Sequence, residues 1–192
     1  MNTEELNALK ERAYKTAVSH GFHEEEKPDA CWLGLVMSEM GEAINADRKE
    51  MHANTKGFDE NEAKGLSFDE NFKKHIKDSV EDEIADIVIR LLDFAGLKGY
   101  KLLIMTELSF VSTMIAGKFI KNGLPGTLFY LIDVLGDSLK DNSTEATVCV
   151  VINIIGDCFE KITGGSYYDL WWFVKQKMRY NEQRPMLNSK KY

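Results

Sequence analysis

Proline is nearly missing from this chain, with three in 192 residues, so little interrupts long helices. Cysteine is scarce and odd in number (Cys31, Cys149 and Cys158). That excludes a disulfide scaffold; each lies in an apolar segment and reads as a buried thiol of a reducing compartment. No Cys/His spacing suits structural zinc. His20, His23, His52 and His75 never complete a Glu-x-x-His pair, so a di-iron bundle is excluded too. Long apolar runs are absent. The longest, around Val148–Ile155, is broken by Asn153 and falls far short of the ~20 residues that span a bilayer. The opening Met1-Asn-Thr-Glu-Glu-Leu6 is polar and acidic, unlike a signal peptide. A cytoplasmic protein with no membrane partner is expected. Positive charge is in deficit, 24 Lys and Arg against 31 Asp and Glu for a net −7, which argues against nucleic acid as a partner. Nucleotides stay open, because a bound cation inverts the local sign at a carboxylate site. A Walker A loop, a Rossmann fingerprint and a nucleophile elbow are all missing, which leaves a Ser or Cys nucleophile unsupported.

What the chain has is helical periodicity. Leu, Ile, Val and Met alternate with charge at helical spacing over long stretches, predicting an all-α fold, a helical bundle. Helices are expected over about 3–19, 30–51, 67–99, 101–121, 126–140, 145–162 and 168–183, with a loop over 52–67. The length suits one compact domain. The halves 1–100 and 101–192 share short strings that suggest an internal duplication. Val36-Met-Ser-Glu-Met40 pairs with Ile104-Met-Thr-Glu-Leu108, and Ile87–Phe94 with Val150–Asp157. On that pairing Glu39 meets Glu107, but Glu42 meets Phe110, Glu83 meets Ala146 and Asp86 meets Cys149. The second half is then a degenerate repeat that kept packing and lost acids.

Those acids form two doublets, Glu39-x-x-Glu42 and Glu83-x-x-Asp86. Residues three apart share a helix face, and both doublets interrupt apolar stripes (Leu35, Val36, Met40, Ile44; Ile84, Ile87, Val88, Leu91), where solvated acids are unexpected. Two such helices packed together bring four carboxylates into one place. Like charges there repel, and a hard divalent cation relieves them, Mg²⁺ where phosphates are the substrate. Metal-assisted phosphate chemistry is the expectation, with Glu42 accepting a proton from the attacking water by position. The bland alternative is a solvated helix face. Asp93 and Arg90 lie further along the second stripe, Asp93 near the cluster or on the surface, and Arg90 as an i,i+4 partner of Asp86.

Several ordered strings resemble the MazG-like branch of the all-α nucleoside triphosphate pyrophosphohydrolases. They are Gly21-Phe-His-Glu-Glu-Glu26, Leu35-Val-Met-Ser-Glu-Met-Gly-Glu-Ala43, Glu83-Ile-Ala-Asp-Ile-Val-Ile-Arg-Leu-Leu-Asp93 and Lys177-Met-Arg-Tyr-Asn-Glu-Gln-Arg-Pro185. The likeness covers roughly residues 15–100 and 170–192. It implies that Glu39, Glu42, Glu83 and Asp86 hold Mg²⁺, with Mn²⁺ a substitute. It also implies that a nucleoside triphosphate is split into monophosphate and pyrophosphate, in a homodimer or larger assembly. The chain departs from the family in three ways: a longer loop between the acidic helices, some eighty residues before the closing signature, and a tail (Met186–Tyr192) without the family's His and Gly-rich stretch. The duplication accounts for the second, with the degenerate half supplying in cis what a partner chain supplies elsewhere.

The closing segment carries Lys175, Lys177, Arg179, Arg184, Lys190 and Lys191 on an otherwise acidic protein. Read alone, it fits an ordinary helix C-terminus. With the resemblance, Lys177, Asn181 and Arg184 become substrate contacts, and Tyr180 a group that stacks on or hydrogen-bonds a base. His23 and Trp32, just ahead of the first doublet, either line the nucleoside pocket or belong to the core; Trp171 and Trp172 read as core anchors. The competing function is a non-catalytic nucleotide-binding or regulatory helical protein descended from the same family.

Overall fold

The computed structural model describes residues 1–105, 109–164, 166 and 168–185, with backbone only over 109–122 and at 162. All regular structure among these residues is helical: α1 (Thr3–Ser19), α2 (Asp29–Arg48), α3 (Thr55–Ala63), α4 (Phe68–His75), α5 (Val80–Leu97), α6 (Ser109–Asp141), α7 (Thr144–Thr163) and α8 (Leu170–Asn181). No helix among them is long and apolar enough to cross a membrane. Local chemistry sets the starts. Asn2 and Glu5 form a reciprocal capping box for α1, and the Asp169 carboxylate caps α8 by accepting from the Trp172 amide at 2.9 Å.

The structure departs from the periodicity in three places. The long helix expected over 67–99 is two helices, α4 and α5. The chain breaks at Asp78, whose φ of 63° is left-handed, and Ser79 caps a new helix by accepting from the Asp82 amide. Phe72, Ile76, Val80 and Ile84 are all buried, so the four-residue apolar period runs unbroken across the gap and conceals it. The expected loop over 52–67 contains α3, capped by Asn54 and anchored by buried Phe58. The third difference is Lys101–Met105, where a helix was expected and none forms.

That segment runs extended between α1 and α7 and is held by side chains from both. On one side, Asn7 accepts from the Leu102 amide (3.2 Å) and donates to its carbonyl (2.7 Å), while the Thr3 hydroxyl accepts from the Ile104 amide (3.0 Å). On the other, the Glu145 carboxylate, the Cys149 sulfur and the Asn153 amide oxygen accept from the amides of Lys101 (2.8 Å), Leu103 (3.3 Å) and Met105 (3.0 Å). Alternate residues of an extended chain are spaced by roughly 6.6 Å, and helix residues four apart by about 6 Å. The i, i+4 rows 3/7 and 145/149/153 therefore match the period of the chain they grip and replace a strand partner on each side.

Helix α5 lies at the centre and packs against α1, α2, α7 and α8. Close approach of α1 depends on Gly96, where a Cβ would come within 2.5 Å of the Tyr14 Cβ. Helix α6 packs on α2 and α7 and is interrupted at Gly123, with φ 64°, just before Pro125. The similar strings of the two halves do not share a conformation throughout: Val36–Met40 lies within α2, whereas Ile104 and Met105 are not helical. Glu107 lies outside the described residues. Cys149 and Cys158 are buried as expected, but Cys31 is exposed on the first turn of α2.

Candidate metal centre

A helix buried on every side is normally apolar throughout. Helix α5 instead buries Glu81, Asp82, Glu83 and Asp93 among Val80, Ile84, Ile87, Val88, Leu91 and Leu92. Burial of a charge is tolerable only with a partner, and three of these acids have one. Glu81 accepts from the Ala53 amide at 2.9 Å and meets His52 Nδ1 at 3.1 Å. Asp93 meets His23 Nε2 at 2.7 Å. Asp82 accepts from Lys177 Nζ at 2.6 Å and from the Asp78 amide at 3.0 Å. Glu83 accepts no hydrogen bond from the described residues. Burial, with further repulsion from Asp86, Asp82 and Glu42, pushes its carboxyl up to about 8 against the pull of Lys177.

Glu83 also sits where two helices converge. Glu39 of α2, Glu83 and Asp86 each place a carboxylate oxygen within 4.8 Å of the others. Glu39 is only 6% exposed; burial and the nearby Asp86 raise its carboxyl above the usual range, while Arg90, 3.0 Å from its Oε1, works the other way. Asp78, Asp82 and Glu83 make a second such trio at the start of α5. Three converging oxygen donors, one of them buried with no donor of its own, fit a hard divalent cation such as Mg²⁺.

These acids open onto a cavity of about 230 Å³, lined by α1, α2, α5, α8 and the turn before α5. Glu39, Glu42, Glu83, Asp86 and Asp93 line it together with Lys177, Tyr180, Asn181 and Arg184. Glu42 is exposed and stands outside the tight trio. Lys177, 5% exposed, bridges Asp82 and Asp86, the latter at 2.8 Å. Burial works against its ammonium, but Asp86 and Asp82 outweigh it and hold the proton well above the ordinary lysine value. Tyr180 is buried and stacks on Phe72, with ring centroids 4.6 Å apart. The Asn181 side-chain oxygen is buried without a hydrogen-bond donor.

His23 and Trp32 do not line this cavity. His23 is tied to Asp93 and packs against Trp32 (4.7 Å) and Tyr14 (5.3 Å), and Trp32 is buried. Arg90 pairs with Glu39 across helices rather than with Asp86 on its own. Of the other basic residues near the C-terminus, Lys175 is exposed, Arg179 lies 3.8 Å over the Phe68 ring, and Lys190 and Lys191 fall outside the described residues.

Three cavity groups carried no motif that singled them out: His20, Lys77 and Asp78. Asp82 was hidden differently. It stands in the acidic run Glu81-Asp82-Glu83, where nothing in the string tells which acid meets which neighbour. His20 closes the α1 side, its Nδ1 2.7 Å from the Thr16 carbonyl and its Nε2 2.8 Å from the Arg184 carbonyl, and so links α1 to the segment after α8. No known protein family, curated protein or solved structure matches this chain.

Proposed function

We propose that this protein is a MazG-like, Mg²⁺-dependent nucleoside triphosphate pyrophosphohydrolase that releases monophosphate and pyrophosphate. The observation that carries the reading is Glu83. It is a buried carboxylate with no hydrogen-bond donor among the described residues, it converges with Glu39 and Asp86, and it lines the same cavity as Lys177, Asn181 and Arg184. Acids alone would suit any divalent-cation site; acids and cations lining one cavity suit a metal-bound polyphosphate.

Mg²⁺ held by Glu39, Glu83 and Asp86 would neutralise charge on the phosphates and make a bound water more acidic. The remaining work falls to the protein's own groups. Arg90 fixes the orientation of Glu39 through the 3.0 Å contact. Lys177, with Lys77 and Arg184 also lining the cavity, offers positive charge to phosphate oxygens. Glu42, the most exposed of the four acids, is free to accept the proton of the attacking water. The uncompensated acceptor of Asn181 suits a donor on the sugar or base.

The test is pyrophosphate and orthophosphate release from a panel of canonical and modified ribo- and deoxyribonucleoside triphosphates. It is run with Mg²⁺ and with EDTA, on the natural chain and on Glu42→Ala. Metal-dependent pyrophosphate with equimolar monophosphate, lost in the variant, is the expected result. Silence across the panel from a folded protein overturns the reading in favour of a nucleotide-binding protein without turnover.

A further inference from the structure

The two carboxylates that hold Lys177 are unequal. Asp86, with a side chain 19% exposed, lines the cavity and belongs to the trio that converges for a cation. Asp82 has a side chain 0% exposed and does not line the cavity. Its position is fixed from its own helix start: the Asp78 amide donates to its Oδ2, and its own amide donates to Ser79 Oγ. The Phe72 ring lies 5.9 Å from Lys177 Nζ, so one side of the ammonium meets an aromatic face. One partner of Lys177 is thus enclosed away from the cavity, in the trio with Asp78, and the other stands at the cavity, in the trio with Glu39.

We infer that Asp82 is a positioning residue that acts through Lys177, keeping the ammonium in place so that Asp86 can be given over to a divalent cation. The inference rests on the metal-centre reading above. An ammonium carries three protons; in this arrangement one goes to Asp82 and one to Asp86, and the third is left for a phosphate oxygen. Were Asp86 the sole partner, drawing it toward a cation would leave a nearly buried ammonium unpaired, which is strongly unfavourable. With Asp82 in place the ammonium keeps a full charge partner throughout. Asp82 also cancels the charge of Lys177 beside the incoming cation, which would otherwise repel it.

A double-substitution cycle tests this with Mn²⁺ alone, by calorimetric titration of the full chain without nucleotide. The four proteins are the natural chain, Asp82→Asn, Lys177→Met and the double variant. Asp82→Asn should weaken Mn²⁺ binding by about tenfold where Lys177 is present and by less than about twofold in the Lys177→Met background, a coupling within the range of contacting residues. Should Lys177→Met not fold, Lys177→Gln serves as the background. Equal losses in both backgrounds overturn the inference, because Asp82 would then act as a bulk negative charge or a direct ligand. No Mn²⁺ uptake by the natural chain overturns both the inference and the metal reading. Coupled losses in a protein that hydrolyses no nucleotide leave Asp82 as assigned and overturn the proposed reaction alone.

Discussion

Helices α5 and α7 both bury most of their length among the described residues, and they treat polar groups in opposite ways. On α7 the row Glu145, Cys149 and Asn153 is matched, group for group, to the amides of Lys101, Leu103 and Met105. Asn153 also donates to the Leu103 carbonyl at 2.9 Å and to the Cys149 carbonyl at 2.8 Å. Its polarity serves the chain itself. On α5 the acids Glu81, Asp82 and Asp93 each have a partner, though Asp82 receives both of its hydrogen bonds on one oxygen; Glu83 has none among the described residues, and Asp86 shares Lys177 with Asp82. A buried polar group that the fold satisfies is architecture. One that the fold leaves without a partner at a cavity wall, as with Glu83, is the place to test for a ligand.

Glu83→Gln attacks the unmatched side of that comparison and carries the largest expected effect. Turnover should fall by more than about a hundredfold, the upper end of what losing even an outer partner of a metal costs. Stability of the metal-free protein should move the other way. Because the carboxyl is raised from 4.5 to about 8 in the fold, the folded protein holds this proton more tightly than the unfolded chain. The stabilisation is complete below about pH 4.5 and is lost as pH climbs through about 8. Metal-free melting temperatures recorded across that window should fall with pH in the natural chain and less steeply in Glu83→Gln. Equal slopes would remove Glu83 as their source.

Asn153→Leu attacks the matched side. It removes the acceptor of the Met105 amide and one of the two donors to the Leu103 carbonyl, which keeps Cys149 Sγ, in a half-buried place, at about 1–2 kcal/mol of stability. Urea unfolding should show a lower midpoint with an unchanged slope, while turnover per folded molecule stays as in the natural chain. A loss of turnover without loss of stability would mean that α7 serves the site directly. The smallest effect is expected at Arg12→Ala. Its ion pair with Glu182 is well formed (2.6 and 3.0 Å), but both side chains are more than a third exposed. Removing such a pair costs less than about 1 kcal/mol, readable as a small midpoint shift that high salt erases.

Much of the helical layout was legible in the chain because apolar period and caps are local signals. The ends of α1 and α7 and the break near Gly123 followed from them. The split between α4 and α5 was not legible, since Phe72, Ile76, Val80 and Ile84 keep one period through a turn made by Asp78. Nor was the extended run at Lys101–Met105. Its conformation is imposed by groups about 95 residues earlier and 45 later in the chain, Asn7 and Cys149 among them. For the site, the spacing of Glu39/Glu42 and Glu83/Asp86 marked two of the helices that line the cavity. It could not rank the four acids, of which Glu42 is exposed and Glu83 lacks a partner. For His23 and Trp32 the sequence left pocket and core both open; the two pack on one another, and His23 also on Asp93 and Tyr14.

By itself, then, the order of residues determined that this protein is helical and that two of its helices bring carboxylates to one face, because both properties depend on neighbours three and four apart. Only the tertiary structure decided which charges meet. Lys177 reaches Asp82 and Asp86 from some 95 residues away, Arg90 crosses to Glu39, and Glu83 is left without a hydrogen-bond donor. Charge pairing acts through space over a few ångströms, and no local pattern in a sequence records which distant side chain arrives to share it.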